Sequence, residues 1–206
     1  MTKNDAILFL KQNGINCLYH FTDRRNLPSI KKLGGLYSWQ WLDTNNIRYL
    51  YSDYSDSHRM DNARNLQNYV RFSFCKTHPM AYRKWADSKN SGDSTSDRFD
   101  PVLLEIELDI LDDNVLISDK NAVDNNAIIK PGFSSLNLVN FEAVKMDTCE
   151  SSNPNFKNRQ AEVLIPTRVP IEYIINVDSP IEFDFNDLNP NYNDLDPELV
   201  KLLGLD

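Results

Sequence analysis

The sequence predicts an α+β domain whose sheet is mostly antiparallel. Three observations carry this reading: about six runs alternate or concentrate β-formers, only three or four short stretches have helical spacing, and strand and helix do not alternate regularly as a parallel βαβ sheet requires. At 206 residues, 41% hydrophobic and 25% charged, the chain has ordinary globular composition and enough length for a sizeable core. It reads as one domain over residues 1–206, with an acidic tail from about residue 178.

Residues 4–13 read as a short helix with Ile7, Leu8 and Leu10 on its apolar side and Gly14 at its end. Ile15 to Thr22 is a strand with His20 near its end. A helix follows, with Pro28 in its first turn, Leu27, Ile30 and Leu33 as its buried stripe, and Gly34-Gly35 to stop it. Leu36 to Trp41 is a short aromatic segment with helical character, and polar residues 43–65 read as a long loop, which in a compact domain suggests function. Asn68 to Cys75 alternates cleanly as a strand, and His78-Pro79-Met80 opens a helical segment towards Trp85. Residues 87–100 are a polar loop, Val102 to Ile110 and Val115 to Ile117 are strands, and Asn121 to Phe133 is irregular. Phe141 to Met146 fits helix and strand equally. Residues 147–158 form a polar loop, Ile171 to Val177 is the last strand, and Leu195 to Leu205 is the one helix suggested in the tail.

The net charge of −8 is concentrated at one end. From Glu172 onward nine acids face Lys201 alone, so residues 1–171 carry 21 charges of each sign. No Glu precedes Glu105, and residues 19–86 hold eleven Lys or Arg against five Asp, which favours an anionic ligand there. No apolar run approaches the ~20 residues of a membrane span, and the start lacks a signal-peptide plan. Cys17, Cys75 and Cys149 are too few and too scattered for a disulfide framework or a CxxC metal site, which points to a cytoplasmic protein. His20, His58 and His78 have no ligand spacing, no Ser or Cys sits in a Gly-flanked elbow, and GxGxxG is absent.

The stretch Arg159 to Pro166 contains one misfit. Alternation puts Ala161, Val163 and Ile165 on one face and Gln160, Glu162 and Leu164 on the other, and Pro166 ends the strand. Two readings of Glu162 follow: an edge-strand carboxylate facing water, or a carboxylate held at the mouth of a cleft to stabilise a cation.

The blocks Tyr19-His20-Phe21-Thr22, Asn26-Leu27-Pro28-Ser29-Ile30 with Gly34, Tyr69-Val70-x-Phe72-x-Phe74-Cys75 with His78-Pro79-Met80-x-Tyr82, and Arg159 to Pro166 with Arg168-Val169-Pro170 and Tyr173 stand in one order. In that order and spacing, over roughly residues 17–175, they resemble the DarT family of toxins, single-stranded-DNA ADP-ribosyltransferases that use NAD+. The resemblance implies an ADP-ribosyltransferase-like split antiparallel sheet with short helices, NAD as co-substrate and no metal. It implies Glu162 as the catalytic carboxylate and Arg59 as the acceptor-side arginine, with Arg64 as the substitute. His20, Thr22, Asn26, Gly34 and Arg59 fall to NAD+, and Tyr49, Tyr51, Tyr54, Arg64, Met80, Phe156 and Arg159 to single-stranded DNA. A cognate antitoxin with ADP-ribosyl-DNA hydrolase activity is the implied protein partner, and no membrane is involved.

Breaking the ribose–nicotinamide bond develops positive charge on the ribose, which a nearby carboxylate stabilises more than it does the ground state. An Arg keeps its proton, so Arg59 would act by stabilising an anionic base or holding a phosphate. Arg71 and Ser73 stand where the thymine-modifying branch tends to have Pro and Tyr, and Ser57 to Asn62 also departs from it, which inclines the base towards guanine. Two other functions remain open: transfer to protein, RNA or water, and a nucleotide-binding module without turnover.

Overall fold

In a computed structural model of the chain, residues 1–50, 55–79, 99–146 and 153–178 are described. Their strands are β1 (Cys17–Asp23), β2 (Gly35–Tyr37), β3 (Tyr69–Ser73), β4 (Pro101–Glu107), β5 (Leu116–Ser118), β6 (Ile129–Pro131), β7 (Glu162–Pro166), β8 (Arg168–Pro170) and β9 (Ile174–Asp178). Seven of them form one sheet in the order β6-β5-β7-β3-β1-β4-β9, while β2 and β8 pair separately. Every pairing is antiparallel, as the sequence led us to expect.

The sheet is divided. β1 pairs with β4 along its whole length, from Cys17 opposite Glu107 to Asp23 opposite Pro101, and β3 pairs with β7 from Tyr69 opposite Pro166 to Ser73 opposite Glu162. Between β1 and β3 the register holds only at Tyr19 opposite Ser73. Beyond that point the two halves splay and leave backbone groups of both strands without ladder partners.

Helix α1 (Lys3–Gln12) starts on a capping box between Thr2 and Asp5, and buries Ala6 and Leu10, whereas Leu8 is exposed. Helix α2 (Leu27–Leu33) has Pro28 in its first turn and ends at Gly34, whose φ of +69° is the left-handed cap glycine favours. The aromatic segment expected over Leu36 to Trp41 divides at Ser38, which ends β2 and caps α3 (Trp39–Thr44).

Residues 43–65 are not one loop: α4 (Ser55–Arg64) occupies their second half. Its sequence has no apolar stripe, and polar contacts hold it instead. The Arg64 guanidinium donates to the carbonyls of Ala122, Asp124 (2.6 Å) and Ala127 (2.9 Å). Trp39 Nε1 donates to Asp61 at 3.0 Å, and the Trp39 and His58 rings stack at 4.2 Å. Two smaller differences lie downstream. The irregular stretch 121–133 contains β6, and the strand expected through Ile110 ends at Glu107 in a single 3-10 turn. Phe141 to Val144 is helical (α5), capped by Asn140.

β7 lies inside the sheet, between β5 and β3. Ala161, Val163 and Ile165 join the main core, while Leu164 packs on the other face with Leu66 and Ala122. Both faces of β7 are therefore covered, which removes the edge-strand reading of Glu162. The segments expected as the acidic tail, the loop over 87–100 and the helix towards Trp85 fall mainly or wholly outside the described residues. No helix among the described residues is long and apolar enough to cross a membrane.

Arg159 corrects the expectation of a DNA contact. It is 2% exposed, donates to Cys75 Sγ at 3.3 Å, to the Thr77 carbonyl at 3.1 Å and to the Thr77 hydroxyl, and so ties the end of β3 to the turn before β7. A buried guanidinium with these partners has no face for a nucleic acid. Arg159→Ala should lower the unfolding free energy by about 3 kcal/mol, because it leaves buried acceptors unmet and opens a cavity. Urea unfolding measures this, and a loss below ~0.5 kcal/mol would mean a solvent-facing side chain.

Candidate active site

A cleft opens where β1 and β3 splay. Its walls come from β1 (His20, Thr22), the start of α2 (Asn26, Ile30), β2 and α3 (Tyr37, Trp39), the segment at Tyr49 and Leu50, α4 (His58, Asp61), β3 (Arg71, Ser73) and β7 (Glu162). Two segments far apart in sequence, residues 20–26 and the start of β7, thus bring His20, Thr22, Asn26 and Glu162 together.

Glu162 is 5% exposed. Its Oε2 accepts the Ala122 backbone N–H at 2.7 Å and lies 3.5 Å from Arg71 Nη1. No described residue donates to Oε1, which leaves that oxygen for a ligand hydroxyl. Burial pushes the Glu162 carboxyl up, Arg71 and the Ala122 N–H pull it down, and Asp61 pushes it up again. Ser73 and Ser118 are its register neighbours on β3 and β5. Ser73 Oγ accepts the Cys75 N–H at 2.9 Å, whereas the buried Ser118 hydroxyl has no hydrogen-bond partner among the described residues.

His20 lies at the start of the split, with Nδ1 2.9 Å from the Arg71 carbonyl oxygen. A carbonyl only accepts, so Nδ1 carries a proton. Burial holds the ring below the usual histidine range, and the neutral ring then keeps Nε2 as an acceptor. This suits a ribose hydroxyl better than a phosphate.

Asn26 and Thr22 both line the cleft, but Asn26 works on the protein. Its amide donates to Thr22 Oγ1 (3.0 Å) and to the Leu50 carbonyl (2.8 Å), and its oxygen accepts the Leu50 N–H at 2.7 Å. The side chain mimics a strand partner and pins the wall that carries Tyr49. Thr22 keeps its own O–H to donate. Gly34 is absent from the cleft lining: it caps α2, and its carbonyl accepts from Ile171 N and Arg168 Nη2, each at 3.0 Å. Its part is conformational, which replaces the expected contact with NAD+.

Arg59 stands on the exposed side of α4, outside the cleft lining formed by its neighbours His58 and Asp61. Arg64, expected on DNA, has its guanidinium committed to three carbonyls and holds α4 in place. Tyr49 is on the cleft wall, its hydroxyl 3.2 Å from Asp43. Phe156 is half-buried and outside the lining, while Tyr51, Tyr54 and Met80 lie outside the described residues. The charged residues that sequence reasoning did not place in the site are Asp61 and Arg71, joined by an ion pair. Arg71 offered a signal, a cation within an alternating apolar strand; Asp61 offered none. No group of His, Cys, Asp and Glu suited to a metal occurs among the described residues.

Comparison with known proteins fits this geometry. In solved structures the chain resembles the DarT of Thermus sp. 2.9 in complex with ADP-ribosylated single-stranded DNA, with a TM-score of 0.69 at 16% identity over 93% of this chain and 90% of the other. The NAD+ complex of the same protein gives 0.62 at 15% identity over 92% and 90%. Thermosipho africanus DarTG in complex with ADP-ribose gives 0.65 at 20% identity, over 92% of this chain and 47% of the other, so this chain spans about half of that protein. No curated protein matches the sequence. The family model described as "ssDNA thymidine ADP-ribosyltransferase, DarT" matches residues 19–189, and the chain therefore belongs to the DarT family of NAD-dependent single-stranded-DNA ADP-ribosyltransferases.

Proposed function

We propose that the chain transfers ADP-ribose from NAD+ to a thymine base of single-stranded DNA, with Glu162 as the catalytic carboxylate. The observation that carries this reading is a carboxylate on an interior strand, one oxygen held by the protein and the other open to a cleft. NAD+ supplies the ADP-ribosyl group and a good leaving group, nicotinamide. The cleft suits it: the Glu162 and His20 acceptors and the Thr22 donor match ribose hydroxyls, and Tyr37, Trp39 and Tyr49 offer ring faces. Glu162 stabilises positive charge as it develops on the ribose, an interaction stronger in the transition state than in the ground state. The C–N bond to nicotinamide breaks with its electron pair leaving on nicotinamide, a base nitrogen forms the new bond to the same carbon, and the base loses a proton to water. Arg59, on the outer side of α4, is assigned to the DNA strand rather than to NAD+.

Glu162→Gln keeps the shape and removes the charge, so transfer should fall by at least ~3 kcal/mol of barrier with the fold unchanged. Transfer of label from NAD+ to a single-stranded oligonucleotide measures this, and activity within about tenfold of wild type would sink the assignment. Label appearing on RNA, on protein or as free ADP-ribose would move the acceptor, and none at all would favour a binding module.

Thymine rests on the family description; Arg71 and Ser73, in place of Pro and Tyr, favour guanine as the second reading. Oligonucleotides with a single T or a single G decide between them. Modification of the T strand is expected, and modification confined to the G strand overturns it. A toxin role, a cognate antitoxin with ADP-ribosyl-DNA hydrolase activity and a cytoplasmic location belong to the same proposal, of which the likeness to DarTG supports only the toxin–antitoxin pairing.

A further inference from the structure

Arg71 joins two parts of the cleft that no chain neighbour connects. Its guanidinium reaches from β3 to Glu162 Oε2 on the adjacent β7 (3.5 Å) and to α4, where it pairs with Asp61. Its backbone carbonyl, without a ladder partner because β1 and β3 splay, accepts from His20 Nδ1 at 2.9 Å. Asp61 is in turn fixed by Trp39 Nε1 at 3.0 Å and is 3% exposed. The guanidinium therefore has a preferred orientation set by α4 before any ligand binds.

Given the transferase reading above, we propose that Arg71 is the positioning residue for Glu162: shared between Asp61 and Glu162, its guanidinium holds Oε2 so that Oε1 faces the ribose. Asp61 is the counterweight, since it draws the guanidinium away from Glu162 and adds a negative charge of its own. The two acids compete for one cation, and the Asp61 contact is the closer.

The charged and titratable groups facing this part of the cleft come from several elements, and among them is the buried His78 after β3, stacked on Phe21 and with its pKa held down to about 4 by burial and by Arg159. Arg71 comes from β3, Asp61 and His58 from α4, and His20 from β1, while Asp119 and Lys120 after β5 pair with each other at 3.3 Å. Burial already raises the Glu162 carboxyl and Arg71 opposes it. Activity needs the ionised form, so its acid limb follows the Glu162 titration. Removing Arg71 raises that titration and moves the limb to higher pH. Neutralising Asp61 removes a repelling charge and releases Arg71 to Glu162, which moves the limb to lower pH. A pair that merely fastened α4 to the sheet would change stability in both variants and move neither limb.

The test is kcat/KM for NAD+ against pH, with a single-stranded oligonucleotide as acceptor, for the full chain and for Arg71→Gln, Arg71→Lys and Asp61→Asn. Arg71→Gln should raise the acid limb by about one pH unit, Arg71→Lys should recover most of that shift, and Asp61→Asn should lower it. An unmoved limb in a folded Arg71→Gln protein, or shifts of the same sign in Arg71→Gln and Asp61→Asn, overturns the proposal. If Arg71→Gln does not fold, Arg71→Lys and Asp61→Asn decide it: a limb lowered in Asp61→Asn and near wild type in Arg71→Lys supports the proposal, and any other pattern overturns it. A wild type that fails to cleave NAD+ sinks the transferase reading instead. The infrared band of the protonated Glu162 carboxyl, assigned with Glu162→Gln, then follows the same titration without turnover, and an unmoved band in the Arg71 variants overturns the proposal.

Discussion

Burying the Glu162 carboxylate between β3 and β5 costs several kcal/mol unless charges and dipoles meet it. Among the described residues, donors meet one oxygen only. The Ala122 N–H and the Arg71 guanidinium converge on Oε2, and the compensation is incomplete enough that burial still leads the shift in the carboxyl. A carboxylate compensated on both oxygens would be more stable and chemically inert. Leaving Oε1 without a protein donor keeps it available to a ligand hydroxyl, and this links the incomplete compensation to binding.

The cleft exists because the sheet is imperfect. A full ladder between β1 and β3 would have brought the Arg71 carbonyl against a backbone donor and closed the space that His20 now enters. One side chain replaces the missing ladder bond, and the buried carbonyl remains satisfied. Asn26 repeats the device at the opposite wall, where its amide pairs with both polar groups of Leu50 as a strand neighbour would. Backbone irregularity at the site is thus compensated by side chains, which fixes its width without closing it.

Much of this was legible in the sequence, and the limits have physical causes. Alternation located β1, β3, β4 and β7, because each buries an apolar face and a period of two is hard to mistake. The glycine stop after α2 was legible because only a left-handed residue ends the helix there. α4 was not, since amphipathic periodicity reports apolar burial, and this helix buries Ser57 and Asp61 in place of Leu or Ile. Its stability comes from Arg64 on carbonyls some 60 residues away and from Asp61 on Arg71, and such partners leave no local pattern. Glu162 was found as a misfit in an apolar strand, and His20 through the block Tyr19-His20-Phe21-Thr22 that resembles the family. Arg71 was a misfit of the same kind, visible in the sequence but placed only by knowing what stands on β7 and α4.

Charge shows the same division between composition and structure. The excess of Lys and Arg in residues 19–86 suggested a surface for an anion, yet much of it is committed to partners within the chain. Arg24 pairs with Asp100 at 2.9 Å, Arg25 with Asp23 at 2.7 Å, Arg71 with Asp61 and Lys76 with Glu105 at 3.6 Å, and Arg64 serves carbonyls. Among the described residues of that stretch, Lys31, Lys32, Arg48 and Arg59 stand exposed, as do Arg25 and Lys76 within their ion pairs. Lys31 and Lys32 close α2, where cations also complement the helix end. Arg48 directly precedes Tyr49 on the cleft wall, and Arg59 directly follows His58. Among the described residues, Arg48 and Arg59 are therefore single exposed cations that neighbour cleft residues in sequence, rather than parts of a continuous basic track. That arrangement favours a short strand gripped by one or two phosphates with its bases against ring faces over a long electrostatic footprint.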